Sequence, residues 1–205
     1  VVDGQLRSSP FNIHWLHLDE LTGTVHADRN QLALGDLVAV QDDLRMTGRL
    51  EVPLKLDFLS EPTSPLDGPF LMEIDIPPGS NLAALTPATN AFVASNGTGE
   101  AHVRVSGPLA HPLYEGSAHI RDAGFVIRHL EEVYSEASCD AIFSGDIVQL
   151  KDIVGREGLT GSFGGDGTLT FRGLEMETFD VRLDLDRFLV ASIPDLRALV
   201  RGRGG

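Results

Sequence analysis

Arg49-Leu50-Glu51-Val52-Pro53-Leu54-Lys55-Leu56-Asp57-Phe58 places an apolar residue at every second position. A pleated strand points successive side chains to opposite faces, so Leu50, Val52, Leu54, Leu56 and Phe58 share one face while Arg49, Glu51, Lys55 and Asp57 share the other. The pattern returns where Phe179, Val181, Leu183 and Leu185 alternate with Asp180, Arg182, Asp184 and Asp186. Shorter copies are Met72, Ile74 and Ile76 around Glu73 and Asp75, and Val103 and Val105 between His102, Arg104 and Ser106. The chain therefore reads as all-β, with half-buried, mainly antiparallel strands paired to their sequence neighbours.

A second regularity is a glycine ahead of a short alternating run, at Gly48-Arg-Leu-Glu-Val, Gly99-Glu-Ala-His-Val, Gly116-Ser-Ala-His-Ile and Gly167-Thr-Leu-Thr-Phe. These glycines are expected to punctuate strand starts. Gly48 and Gly99, like Gly116 and Gly167, are 51 residues apart, which points to a loosely repeated multi-strand unit. Segments 60–69 and 77–80, rich in Pro, Ser and Gly, read as connections, and no domain boundary is evident. Helical spacing is confined to Leu130, Val133, Tyr134 and to Leu196, Leu199, Val200. Segments 81–88, 129–136 and 192–200 therefore stay open between helix and strand.

With so little helix to cover it, the apolar face of the sheet must meet a second sheet or its own curled continuation. At about 3.3 Å per residue the run 49–58 would extend roughly 30 Å, longer than the usual strand of about five or six residues. Such length favours a curled sheet around a trough. Periodicity alone also permits the same side chains to fill a sandwich core.

The 205 residues carry a net charge of −14, which opposes binding to nucleic acid or anionic headgroups. The single cysteine, Cys139, rules out an internal disulfide, so burial and backbone pairing must hold the fold. No run of about 18 apolar residues is present, and the start at Val1-Val2 reads as a piece of a longer chain.

Chemical motifs are weak. The glycines from Gly155 to Gly167 form an expected loop that lacks the lysine and the following helix of a phosphate cradle. His14 and His17 are three apart in a strand-like segment and would point to opposite faces. His102 and His119 occupy polar positions, no carboxylate pair stands out, and Cys139 has no nucleophile motif. The expectation is a non-enzymatic chain with no metal and no cofactor.

The stretch from Gly99 through Gly107-Pro108-Leu109-Ala-His-Pro112-Leu-Tyr-Glu-Gly116 to Ala118-His-Ile120 and Gly124-Phe125 resembles the C-terminal β-repeats of the TamB/AsmA-like family. TamB is the inner-membrane subunit of the translocation and assembly module. Phe143-Ser-Gly145-Asp146 to Asp152, Gly165-Asp-Gly167 to Phe171, and then 179–186, follow in the order of such repeats. Residues 70–200 match best, while 1–69 fit only as a generic repeat. The resemblance implies one continuous, elongated and curved sheet over 1–205, a β-taco, whose apolar inner face conducts phospholipid acyl chains across the periplasm. It implies a lining of the apolar residues named above together with Ile120, Phe125, Ile127, Leu169 and Phe171. Membrane contact would come only through other parts of the chain, and an outer-membrane β-barrel protein would be a partner. Two alternatives remain beside the conduit. One is a module that assists barrel assembly by strand addition, and the other is an adhesin-like sandwich, which one Trp and two Tyr disfavour.

Overall fold

The computed structural model describes residues 1–13, 16–55, 64–65, 68–84, 92–127, 133–193 and 196–204. These form fifteen strands: β1 (Val2–Ser8), β2 (Phe11–Ile13), β3 (Leu16–Leu18), β4 (Glu20–Ala27), β5 (Gln31–Gln41), β6 (Leu44–Lys55), β7 (Ser64–Pro65), β8 (Pro69–Asn81), β9 (Phe92–Pro108), β10 (Leu113–Ile127), β11 (Val133–Gly145), β12 (Ile147–Glu157), β13 (Gly161–Arg172), β14 (Glu175–Ile193) and β15 (Leu196–Gly204). Among the described residues the only helical geometry is a 3₁₀ turn at 82–84. One 13-stranded sheet runs in the order β1-β4-β5-β6-β8-β9-β10-β11-β12-β13-β14-β15, with β7 on β6, while β2 and β3 form a separate hairpin. Every pairing is antiparallel. The sheet thus grows strand by strand in chain order, as alternating runs separated by short turns require.

Several expectations change. Gly48, Gly99 and Gly167 lie inside β6, β9 and β13, and Gly116 inside β10, rather than at strand starts. Their role is steric. A Cβ on Gly116 would sit 2.0 Å from the His102 carbonyl oxygen, and one on Gly48 would sit 2.4 Å from that of Glu73. The glycine-rich segment 155–167 is not a loop but the end of β12, a tight turn and the first half of β13. Residues 77–80 belong to β8 as an irregularity in its ladder with β9. The helix-spaced Val133 and Tyr134 open β11, where they face opposite ways: Tyr134 is buried and Val133 exposed. Residues 196–200 are strand. The run 49–58 is described only to Lys55, so Leu56 and Phe58 lie outside the described residues. The run 179–186 falls within β14, whose 19 residues make it the longest described strand.

Register assigns the two faces. Paired residues point the same way, and they form apolar rows: Leu34-Leu50-Met72-Val105-Tyr114, then Ile74-Val103-Gly116-Phe143-Val148-Leu169-Phe179, then Ile76-Ala101-Ala118-Ala141-Leu150-Gly167-Val181. The opposite face carries many of the charges as cross-strand pairs. Arg49 and Arg104 flank Glu73, His102 meets Asp75, and His119 and Arg121 converge on Asp140. Directly opposed residues on a sheet lie close enough to interact, so opposite charges there favour this register over a slipped one.

Candidate functional site

The apolar face divides into a packed part and a hollow part. In the packed part Phe70, Val105 and Tyr114 are buried, and Leu50, Val52, Met72, Val103, Leu109, Phe143 and Phe171 pack against them. The Tyr114 and Phe171 rings approach to 5.1 Å, and Tyr114 Oη donates a hydrogen bond to the Gly173 carbonyl at 2.8 Å. A Cβ on Gly173, in the β13–β14 turn, would lie 3.5 Å from the carbonyl oxygen of Leu109, in the β9–β10 turn. β10 and β13 are three ladder steps apart, about 14 Å in a flat sheet. The sheet therefore bends over its apolar face at this end, closed by Tyr114 and Phe171.

Toward the other end of the same strands the ladders slip. Register shifts fall between Ile120 and Ala123 in β10, Ser135 and Ser138 in β11, and Leu150 and Ile153 in β12. At each shift an acidic residue adopts positive φ: Asp122 at 50°, Glu136 at 51° and Asp152 at 51°. Such bulges insert an extra residue and bend the strand, and Asp accepts left-handed geometry better than most side chains. Here the apolar face carries small residues: Gly99 beside Ile120, Ala123 beside Ala137, Gly155 beside Phe163, and Gly165 beside Leu183. Small side chains on a bent sheet leave space. A hollow of about 340 Å³ results, lined by Leu82, Ile120, Ala123, Phe125, Ala137, Ser138, Cys139, Ile153, Val154 and Phe163.

The electrostatics of the two faces differ accordingly. Every solvent-reached atom of the hollow is apolar. Its one hydroxyl, Ser138 Oγ, accepts the Asp122 amide at 3.2 Å. Burial, reinforced by the negative charge of Asp140, pushes the Cys139 thiol up from its ordinary value, which keeps it neutral. On the polar face His119 and Arg121 hold the Asp140 carboxyl below the usual range, and hydrogen bonding to Asp75 raises His102. Among the described residues no group of three or more His, Cys, Asp or Glu is arranged to hold a metal. Nor is any helix among them long and apolar enough to cross a membrane.

The expected lining residues distribute over this face unevenly. Leu50, Val52, Met72, Val103, Val105 and Phe171 belong to the packed part. Ile120 and Phe125 line the hollow, and Leu183 and Leu185 continue its rows onto β14 through Gly165 and Phe163. Ile74, Ile76, Leu169, Val181 and Phe179 lie in the rows between, with Ile74 at 37% and Phe179 at 70% exposure. Phe179 thus shares the expected face without being enclosed. Leu54 pairs with Pro65 at the end of β6, and Ile127 pairs with Phe92 at the end of β10. The sequence reading missed Tyr114, Phe143, Ala123, Ala137, Ile153 and Phe163. A signal existed for some: apolar spacing lengthens from two to three at Ile120/Ala123 and Leu150/Ile153, each across an Asp.

No family model matches the chain, and no curated protein or solved structure does. The fold is that of an all-β protein built on one open antiparallel sheet.

Proposed function

We propose that this chain is a segment of a curved, taco-like β-groove whose apolar inner face binds phospholipid acyl chains and conducts them between two membranes. One observation carries the reading. The apolar rows extend across successive strands, and among the described residues no helix and no second large sheet lies over them. Twisted open sheets beyond about ten strands curl, split or flatten, and this one bends at Tyr114 and Gly173; an uncovered apolar face needs an occupant. An acyl chain suits it, because each buried methylene contributes about 0.8 kcal/mol without polar recognition. The family resemblance supplies the setting. It places the segment in the periplasm of an inner-membrane-anchored protein, with other parts of the chain contacting the membranes and an outer-membrane barrel protein. No catalytic role, metal or cofactor enters this reading.

A second reading, strand addition to assist barrel assembly, is favoured by β14. Met176 and Phe179 on this strand are 54% and 70% exposed. Exposed apolar side chains on a strand offer a surface that an added strand would cover.

Three variants separate these readings when bound lipid is measured by mass spectrometry of extracts and the fold by melting temperature. Wild type is expected to co-purify with phospholipid. Leu183→Arg places a charge on the apolar face and should lose lipid while melting nearly normally, whereas Arg182→Leu and Asp184→Leu should retain lipid. A collapsed Leu183→Arg variant would indicate a sealed core. Wild type free of lipid but able to capture unfolded barrel strands would select strand addition.

A further inference from the structure

We infer that the hollow beside Cys139 is a discrete seat for the end of a single hydrocarbon tail, rather than one stretch of a uniform trough. The inference rests on the lipid reading above and adds a location, a capacity and a limit. Bulges at Asp122, Glu136 and Asp152 bend three adjacent strands within the span of the hollow. Ala123, Ala137 and Cys139 provide the low floor, and Leu82, Ile120 and Ile153 provide the walls. Along the strands the space ends in aromatic rings. Phe125 stacks on Tyr134 with centroids 5.1 Å apart, and Phe163 stands edge-on to Tyr134 at 6.2 Å. In the other direction the same strands run into the packed cluster around Phe143.

The lining chemistry decides the occupant. A peptide strand or a headgroup would bring amide or charged groups against a wall that offers no hydrogen bond in return, and burying them unpaired is unfavourable. A hydrocarbon tail brings none. Size sets the capacity: an apolar cavity of roughly 150 Å³ holds one benzene, so 340 Å³ takes on the order of a dozen carbons. One tail end fills it.

Cys139 is the only cysteine, so any alkylation of the intact chain reports on this wall. The probe is dodecylphosphocholine, kept below its micelle-forming concentration, and the readout is the rate of N-ethylmaleimide addition by intact mass. Native mass spectrometry on the same samples counts bound probe. At ten times its dissociation constant, one bound probe should slow alkylation on the order of tenfold. Ala137→Leu should abolish protection while leaving phospholipid on the rest of the face, and Ile120→Ala should shift best protection from dodecyl to longer alkyl chains. Probe that binds without slowing alkylation would overturn the seat and spare the lipid reading. So would undiminished protection in Ala137→Leu. Absence of any bound probe, in a protein that also carries no phospholipid, would overturn both.

Discussion

The packed and hollow parts of the apolar face are built by the same strands, yet they end in opposite states. Around Val105, only 1% exposed, the β8–β9 and β9–β10 ladders run without slips, and Leu50, Met72, Phe143 and Phe171 pack against Phe70, Val105 and Tyr114. Around Ile120, 39% exposed, the ladders slip, and the cross-strand neighbours are Gly99 and Cys139 beside Ile120, Ala137 beside Ala123 and Phe163 beside Gly155. Alternation alone makes both parts apolar. Residue size and bulge position determine whether the apolar surface meets itself or stays available. The packed part therefore holds the fold, and the hollow part is free to hold something else.

The comparison breaks most easily at the glycines of the packed part. Gly116→Val adds a side chain that would overlap the His102 carbonyl, at a residue with φ of 125°, so it is expected to cost about 4 kcal/mol or more, seen as a collapsed denaturation midpoint. Phe70→Ala, in the same cluster, should cost about 3–5 kcal/mol in chemical denaturation. At the hollow's edge Asp152→Val forces a β-branched residue into φ of 51° and should cost about 1–3 kcal/mol, whereas Asp152→Gly should be nearly neutral. Ala137→Leu fills existing space and should change stability by less than about 1 kcal/mol, unlike an equal enlargement in the packed part.

The smallest effect concerns the polar face, which both parts share. The Asp75 carboxylate raises His102 above its ordinary value of 6.5. This pair's contribution is complete below the unfolded histidine's value and is lost as pH rises through the raised folded value. The melting temperature should therefore fall slightly as pH rises from below 6.5 to beyond the raised value, and His102→Gln should flatten that dependence.

The strand pattern was legible because Leu183 and its neighbours alternate without interruption, and one half-buried face enforces that alternation. The hollow was harder to read. Asp122, Glu136 and Asp152 look like ordinary polar positions until the following apolar residue arrives one step late. Gly155 to Gly167 looked like a loop because glycine usually marks turns, whereas here Gly155 makes room for the Phe163 ring and Gly165 for the Arg182 carbonyl. The closure at Tyr114, Phe171 and Gly173 joins residues up to 59 apart, and no local pattern encodes it.

The central claim is that hydrocarbon occupies the hollow part of the apolar face and not the packed part. Amide NMR of the isotopically labelled chain with a phospholipid carrying a nitroxide near the end of one acyl chain tests it without any mutation. The strongest broadening is expected at Ile120, Ala137, Cys139 and Ile153, and the weakest at Met72 and Val105. Equal broadening of both groups, or broadening centred on Met72 and Val105, would contradict it.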